Sequence, residues 1–185
     1  DECEYEGNIP RPWGNISAQE LVHRFWIMIA RGGYAGHGET YMHPDDILWW
    51  SKGGVLHGES WQRIAFLRGS IEEMPAGGLS PMVDSWYWTR VSGGINGHYR
   101  LIYFGEHQPV QWAVGLPMED GDYEIDLIDT WNMTIAPIEK GPLPISPPTR
   151  RKKTDKRVAA PKREAAFGVA LPGKPNMALR VRPKK

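Results

Sequence analysis

Asp1-Glu2-Cys3-Glu4-Tyr5-Glu6-Gly7, with Gly33-Tyr34-Ala35-Gly36-His37-Gly38-Glu39-Thr40-Tyr41, is the reading on which the fold of this chain turns. Both stretches read as strand ends that open onto a site. Alternation along residues 34–39 puts Ala35, His37 and Glu39 on one side. Glycine at positions 36 and 38 weakens a strand and marks close approach of a backbone or ligand. A carboxylate at a strand end is held in place by the scaffold beneath it, which makes Glu2 a candidate catalyst.

Outward from these stretches, Ser17-Ala18-Gln19-Glu20 forms a capping box and predicts a helix. Leu21, Val22, Phe25, Met28 and Ile29 share its apolar face, Trp26 lies beside them, and Gly32-Gly33 ends it. A second helix is predicted from Glu59-Ser60 to Met74-Pro75, with Trp61, Ile64, Ala65, Leu67 and Ile71 as its stripe. The connection between, residues 40–58, carries Asp45, Asp46, Trp49, Trp50 and His57, which is a heavy chemical load for a loop. Strand end, helix, strand, loaded loop and helix predict a unit and a half of parallel β/α architecture, with its chemistry at the carboxyl ends of the strands.

After Gly77-Gly78 the pattern changes. Residues 98–104, 110–114 and 123–129 alternate as strands, residues 131–138 extend or neighbour the last, and 167–171 with 177–181 read as a closing hairpin around Pro172-Gly173-Lys174-Pro175. Strands this closely spaced predict an antiparallel sandwich. The expected fold class is α/β plus all-β, divided into residues 1–77, then 78–138 with 165–185. Residues 139–164, rich in Pro and then in Lys and Arg, are expected to be a disordered basic insertion.

Charge follows the same division. Residues 150–185 hold 13 Lys and Arg against 2 acids, and residues 1–149 hold 9 against 20, so a net charge of zero covers an acidic front and a basic tail. The run Arg150-Arg151-Lys152-Lys153 has no interleaved aromatics to stack on bases, so a nucleic-acid partner is not expected. No run of 18 apolar residues exists, and no membrane partner is expected either. The single cysteine, Cys3, excludes an internal disulfide and reads as a structural thiol. Nine Trp and seven Tyr supply flat apolar faces with polar edges, suited equally to a core and to sugar rings.

The phrases DECEYEG, GGYAGHGETY, ILWWSKGGVLHGES, YFGEHQPVQW, YEIDLIDTWNMT and LPGKPNMALRV resemble the C-terminal half of a family of bacterial enzymes assigned as glycoside hydrolases. These are apiosidase-like or endoglucanase-like (β/α)8 TIM-barrel proteins with a C-terminal immunoglobulin-like domain of unknown function. The resemblance covers nearly the whole chain outside residues 139–164. It implies the last two barrel units followed by an immunoglobulin-like β-sandwich. It also implies Glu2 as the nucleophile, and Tyr5 and Glu6 as residues lining the sugar subsite.

A retaining glycosidase needs two carboxyl groups about 5 to 5.5 Å apart, one attacking and one protonating the leaving group. Glu2 is the expected attacker; the acid/base carboxylate would lie upstream, on barrel units outside these residues. The 185 residues are therefore expected to be part of a longer protein and inactive alone. His37 and Glu39 are expected to bind sugar hydroxyls, and one of Trp49 and Trp50 to stack on a sugar ring. The chemistry needs no cofactor. His37, His43, Asp45, Asp46 and His57 lack any recognised metal-ligand spacing. The alternative function is a non-catalytic carbohydrate-binding or scaffold module.

Overall fold

The computed structural model describes residues 2–42, 44, 55–74, 76, 78–81, 91–94, 99–115, 123–141 and 165–184. In chain order the elements are β1 (Glu6–Gly7), a 3-10 turn (Pro12–Gly14), α1 (Ala18–Ala30), β2 (Glu39–Thr40), α2 (Ser60–Glu72), β3 (Leu79–Pro81), β4 (Val91–Gly94), β5 (Arg100–Gly105), β6 (Gln111–Gly115), β7 (Tyr123–Asp129), β8 (Thr134–Pro137), β9 (Ala165–Ala170) and β10 (Met177–Pro183).

A six-stranded antiparallel sheet in the order β3-β4-β5-β10-β7-β8 is the centre of the molecule. Its middle strands bury both faces, and their side chains sort by parity as a pleated sheet requires. Leu101, Tyr103, Ile128 and Ala178 face one way and join Leu21, Val22, Phe25 and Trp26 of α1 and Leu67 of α2. Ile102, Phe104, Ile125, Leu179 and Val181 face the other way and join Val114 and Val169 of the antiparallel pair β6–β9. The result is three layers: helices, sheet and a two-stranded ribbon. Strand β5 reads as an unbroken buried run because both of its faces are covered.

This arrangement corrects the expectation of two (β/α)8 units leading into an immunoglobulin-like sandwich. Among the described residues there are two helices, the structure is mostly sheet, and the sheets of the C-terminal part are antiparallel. The parallel pairing of β1 with β2 spans two residues per strand, Glu6 opposite Glu39 and Gly7 opposite Thr40. What overrides the β/α pattern is the destination of the apolar helix face. Trp26 is fully buried and stacks on Tyr103 of β5, ring centroids 5.4 Å apart, so α1 is a cover for the antiparallel sheet.

The predicted α1 cap forms: Ser17 accepts from the Glu20 amide at 3.1 Å, while the Glu20 carboxylate turns to Arg24 instead of reaching back. The α2 stripe is poorer than its spacing predicts, with Leu67 buried but Trp61 and Ala65 exposed. The expected hairpin of 167–171 with 177–181 does not pair with itself. Residues 171–176 carry the chain across layers, so β9 pairs with β6, and β10 inserts between β5 and β7. Gly173 and Asn176, both at positive φ (63° and 60°), make that crossing possible. Residues 142–164, most of the basic insertion, lie outside the described residues. Among the described residues no helix is long and apolar enough to cross a membrane.

Candidate functional site

Glu2 bridges to Gly36 in parallel and its side chain is exposed. In a regular strand, residues three apart point to opposite faces. Here the Tyr5 phenol nevertheless comes up beside the Glu2 carboxylate, and that carboxylate is the main reason the phenol pKa is raised. Alternation breaks at Glu4, whose φ of 71° is in the left-handed region. Such a conformation costs a glutamate on the order of 1–3 kcal/mol and is held only where neighbours enforce it. Arg24 of α1 does so, reaching the Glu4 carboxylate at 2.7 Å and the Cys3 carbonyl at 3.2 Å.

The Tyr5 ring is fixed on two sides. Gly38 lies against it so closely that a Cβ there would sit 2.5 Å from a ring carbon, and Trp13 meets it edge-on at 6.1 Å. Cys3 packs at the margin of the helix–sheet core, where burial raises its thiol pKa and works against thiolate chemistry.

Glu6, His37 and Glu39 form a second, buried cluster. Four successive backbone amides, residues 57–60, donate to its two carboxylates. His57 and Gly58 reach Glu39 Oε2 at 2.6 and 3.0 Å, and Glu59 and Ser60 reach Glu6 at 2.9 and 3.0 Å. The Tyr41 hydroxyl adds a donor to Glu6 at 3.0 Å. Gly58 has to be glycine, since a Cβ would overlap the Glu6 carboxylate. The two acids thus cap the N-terminus of α2, where unpaired amides and the helix dipole favour negative charge.

His37 Nε2 shares a 3.1 Å hydrogen bond with Ser60 Oγ and lies 3.9 Å from Glu39 Oε1, which is buried and has no hydrogen-bond partner. Ser60, His37 and Glu39 do not make a nucleophilic triad. Both neighbours address the same ring nitrogen, whereas a relay needs one on each. Burial lowers the His37 pKa in spite of Glu39 and Glu6 nearby, so the ring is neutral at pH 7.

Burial alone would raise the Glu6 pKa, but the donors from Ser60, Glu59 and Tyr41 outweigh it and the net shift is downward. A carboxylate with a depressed folded pKa contributes stability that is present above its unfolded value. That contribution is lost as pH falls through the folded value. Glu6→Gln is therefore expected to cost about 1–3 kcal/mol at pH 7 and to flatten the loss of stability below about pH 4. Thermal denaturation of both forms from pH 7 to pH 3 checks this, and parallel curves would assign the acid sensitivity elsewhere.

Of the residues singled out in the sequence, the structure brings Glu2 to Tyr5 and gathers Glu6, His37 and Glu39 around the start of α2. Trp49, Trp50, His43, Asp45 and Asp46 lie outside the described residues. Among the described residues no three His, Cys, Asp or Glu side chains are grouped as metal ligands would be. Trp13 was not singled out, although the Pro12-Trp13-Gly14 turn signal around it was readable.

Residues 88–182 match DUF5605, a domain of unknown function, over slightly more than half of the chain. The chain belongs to the DUF5605 family. The DUF5605 region takes in β4 to β10 short of Pro183, so Glu2, Tyr5, Glu6, His37 and Glu39 all precede it. A crystal structure described as a "putative glycoside hydrolase" from Bacteroides vulgatus is similar over both parts. It is 29% identical with a TM-score of 0.72, and the match covers 98% of this chain and 35% of that one. The DUF5605 chain thus spans about a third of the length of the Bacteroides protein. No curated protein matches significantly.

Proposed function

We propose that this chain is part of a retaining glycoside hydrolase acting on O-glycosidic bonds of oligo- or polysaccharides, with Glu2 as its nucleophile. The observation that carries the reading is the exposed Glu2 carboxylate at a strand end paired with Gly36, with the Tyr5 phenol beside it. Its neighbours are occupied, Glu6 and Glu39 by backbone amides and Glu4 by Arg24. The likeness to the Bacteroides protein supports the reaction class.

In this reading Glu2 attacks the anomeric carbon as the bond to the leaving oxygen breaks. A second carboxyl group, on chain outside these residues, protonates that oxygen. Water then displaces Glu2 from the glycosyl-enzyme, the second group acting as base. Tyr5 stays a neutral donor throughout, because its raised pKa keeps the proton on the phenol.

Assay of the full-length protein on aryl glycosides and plant oligosaccharides, with NMR of the first-formed anomer, tests the proposal. Retention of configuration is expected. Inversion would remove Glu2 as nucleophile, and failure to cleave any member of the panel while sugars still bind would favour a binding module.

A further inference from the structure

We propose that Trp13 is a stacking platform for a pyranose ring of an extended substrate, one subsite away from Glu2; this rests on the glycosidase reading above. Trp13 is 40% exposed, yet the turn that presents it is rigid. Pro12 opens the 3-10 turn, the Trp13 carbonyl accepts from the Tyr5 amide at 2.9 Å, and the Gly14 carbonyl accepts from Thr40 Oγ1 at 2.6 Å. Gly14 is itself buried, and a Cβ there would strike the Ile9 side chain at 2.5 Å. The backbone beneath the indole is thus tied down by its hydrogen bonds and the ring itself is restrained by its edge contact with Tyr5, which lowers the ordering cost of binding.

Continuity with the site identifies the occupant. Trp13 meets the Tyr5 ring edge-on at 6.1 Å and 80°, and the phenol of that ring lies beside the Glu2 carboxylate. A sugar chain with one residue at Glu2 therefore has an indole within reach of a neighbouring residue. Flat stacking on an aromatic face requires a ring that presents its C–H bonds together. That condition is met by pyranoses with equatorial hydroxyls, of gluco or xylo configuration, which serve as the probes below. The structure thus assigns to Trp13 a part in selecting oligosaccharides over single glycosides, through binding and not through the chemical step.

The test uses the full-length protein with Trp13→Ala and Trp13→Phe, folding being checked by circular dichroism and melting temperature. Cellohexaose and xylohexaose are the probes, with an aryl monoglycoside for comparison. The expected result in Trp13→Ala is a roughly tenfold or greater rise in KM for the hexasaccharide, with kcat changed less. The ratio of hexasaccharide to monoglycoside kcat/KM falls accordingly, and Trp13→Phe lies between. Hydrolysis with the same ratio in all three forms would overturn the platform and leave the glycosidase reading standing. Binding of either hexasaccharide without hydrolysis, weakened in Trp13→Ala, would keep the platform and remove the nucleophile. If the native protein neither binds nor cleaves the probes, both proposals fail.

Discussion

Glu2→Gln in the full-length protein is expected to lower both kcat and kcat/KM on the order of 10⁴-fold or more, with an unchanged melting temperature. The amide is nearly isosteric with the carboxylate and can still accept from Tyr5, so positioning survives while the nucleophile is lost. An exposed side chain away from the core leaves folding alone. Two further variants separate nucleophile from bystander. Glu2→Ala opens space in which azide can attack from the vacated side, restoring turnover and giving a glycosyl azide of inverted configuration. Tyr5→Phe removes the hydroxyl beside Glu2, whose donation to the charged carboxylate would be worth about 1.5–3 kcal/mol, and is expected to slow turnover about tenfold or more without abolishing it. Equal activity of native protein and Glu2→Gln would place the nucleophile at another residue.

The register between Glu2 and Tyr5 shows where sequence reasoning stops. Spacing and resemblance both drew attention to DECEYEG, but alternation alone would part residues 2 and 5 and pair Tyr5 with neither Glu2 nor Glu6. The left-handed turn at Glu4 brings Tyr5 back, and it depends on Arg24, twenty residues on in a helix. A tertiary restraint on one backbone angle leaves no mark on a local pattern. What holds the second cluster together is illegible for a related reason. Glu6 is marked by the resemblance and Glu39 by its place at a strand end, both as sugar-binding groups, yet their partners are backbone amides of residues 57–60, which carry no side-chain signature.

The fold shows the same limit. Capping residues and spacing placed α1 well, since both are local. Strands β6 and β7 were legible from their near-alternating apolar residues and β5 from its continuous apolar run, whereas the short β3 and β4 lie in a glycine-rich stretch with little pattern to read. Partner choice was the failure. Residues 177–181 suit a hairpin with 167–171 as well as a place between β5 and β7. The choice rests on Ala178 and Arg180 facing the helices while Leu179 and Val181 face the ribbon.

Arg180 ties these layers together, and Arg180→Met is expected to destabilise the protein by about 3–5 kcal/mol. The side chain is 3% exposed and lies in the middle of the central sheet. It donates to Asp126 Oδ2 of β7 at 2.9 Å, to the Ser70 carbonyl of α2 at 3.1 Å and to Glu73 just beyond α2 at 2.9 Å. Methionine fills much of the volume but supplies none of these donors, leaving Asp126 as a buried charge. Arg182 Nε, 3.3 Å from the same oxygen, compensates in part, which points to the lower half of the range. Adding Asp126→Leu removes the stranded charge and is expected to recover most of the loss, because a buried ion pair is worth little more than a well-packed apolar pair. What the double variant does not regain is the hold on Ser70 and Glu73, so the end of α2 should exchange its amide hydrogens faster while the sheet does not. Urea denaturation of the single and double variants, with hydrogen exchange on the double, checks each step. A double variant less stable than the single would show that Asp126 is satisfied without Arg180 and that the helix layer is held to the sheet by its apolar contacts alone.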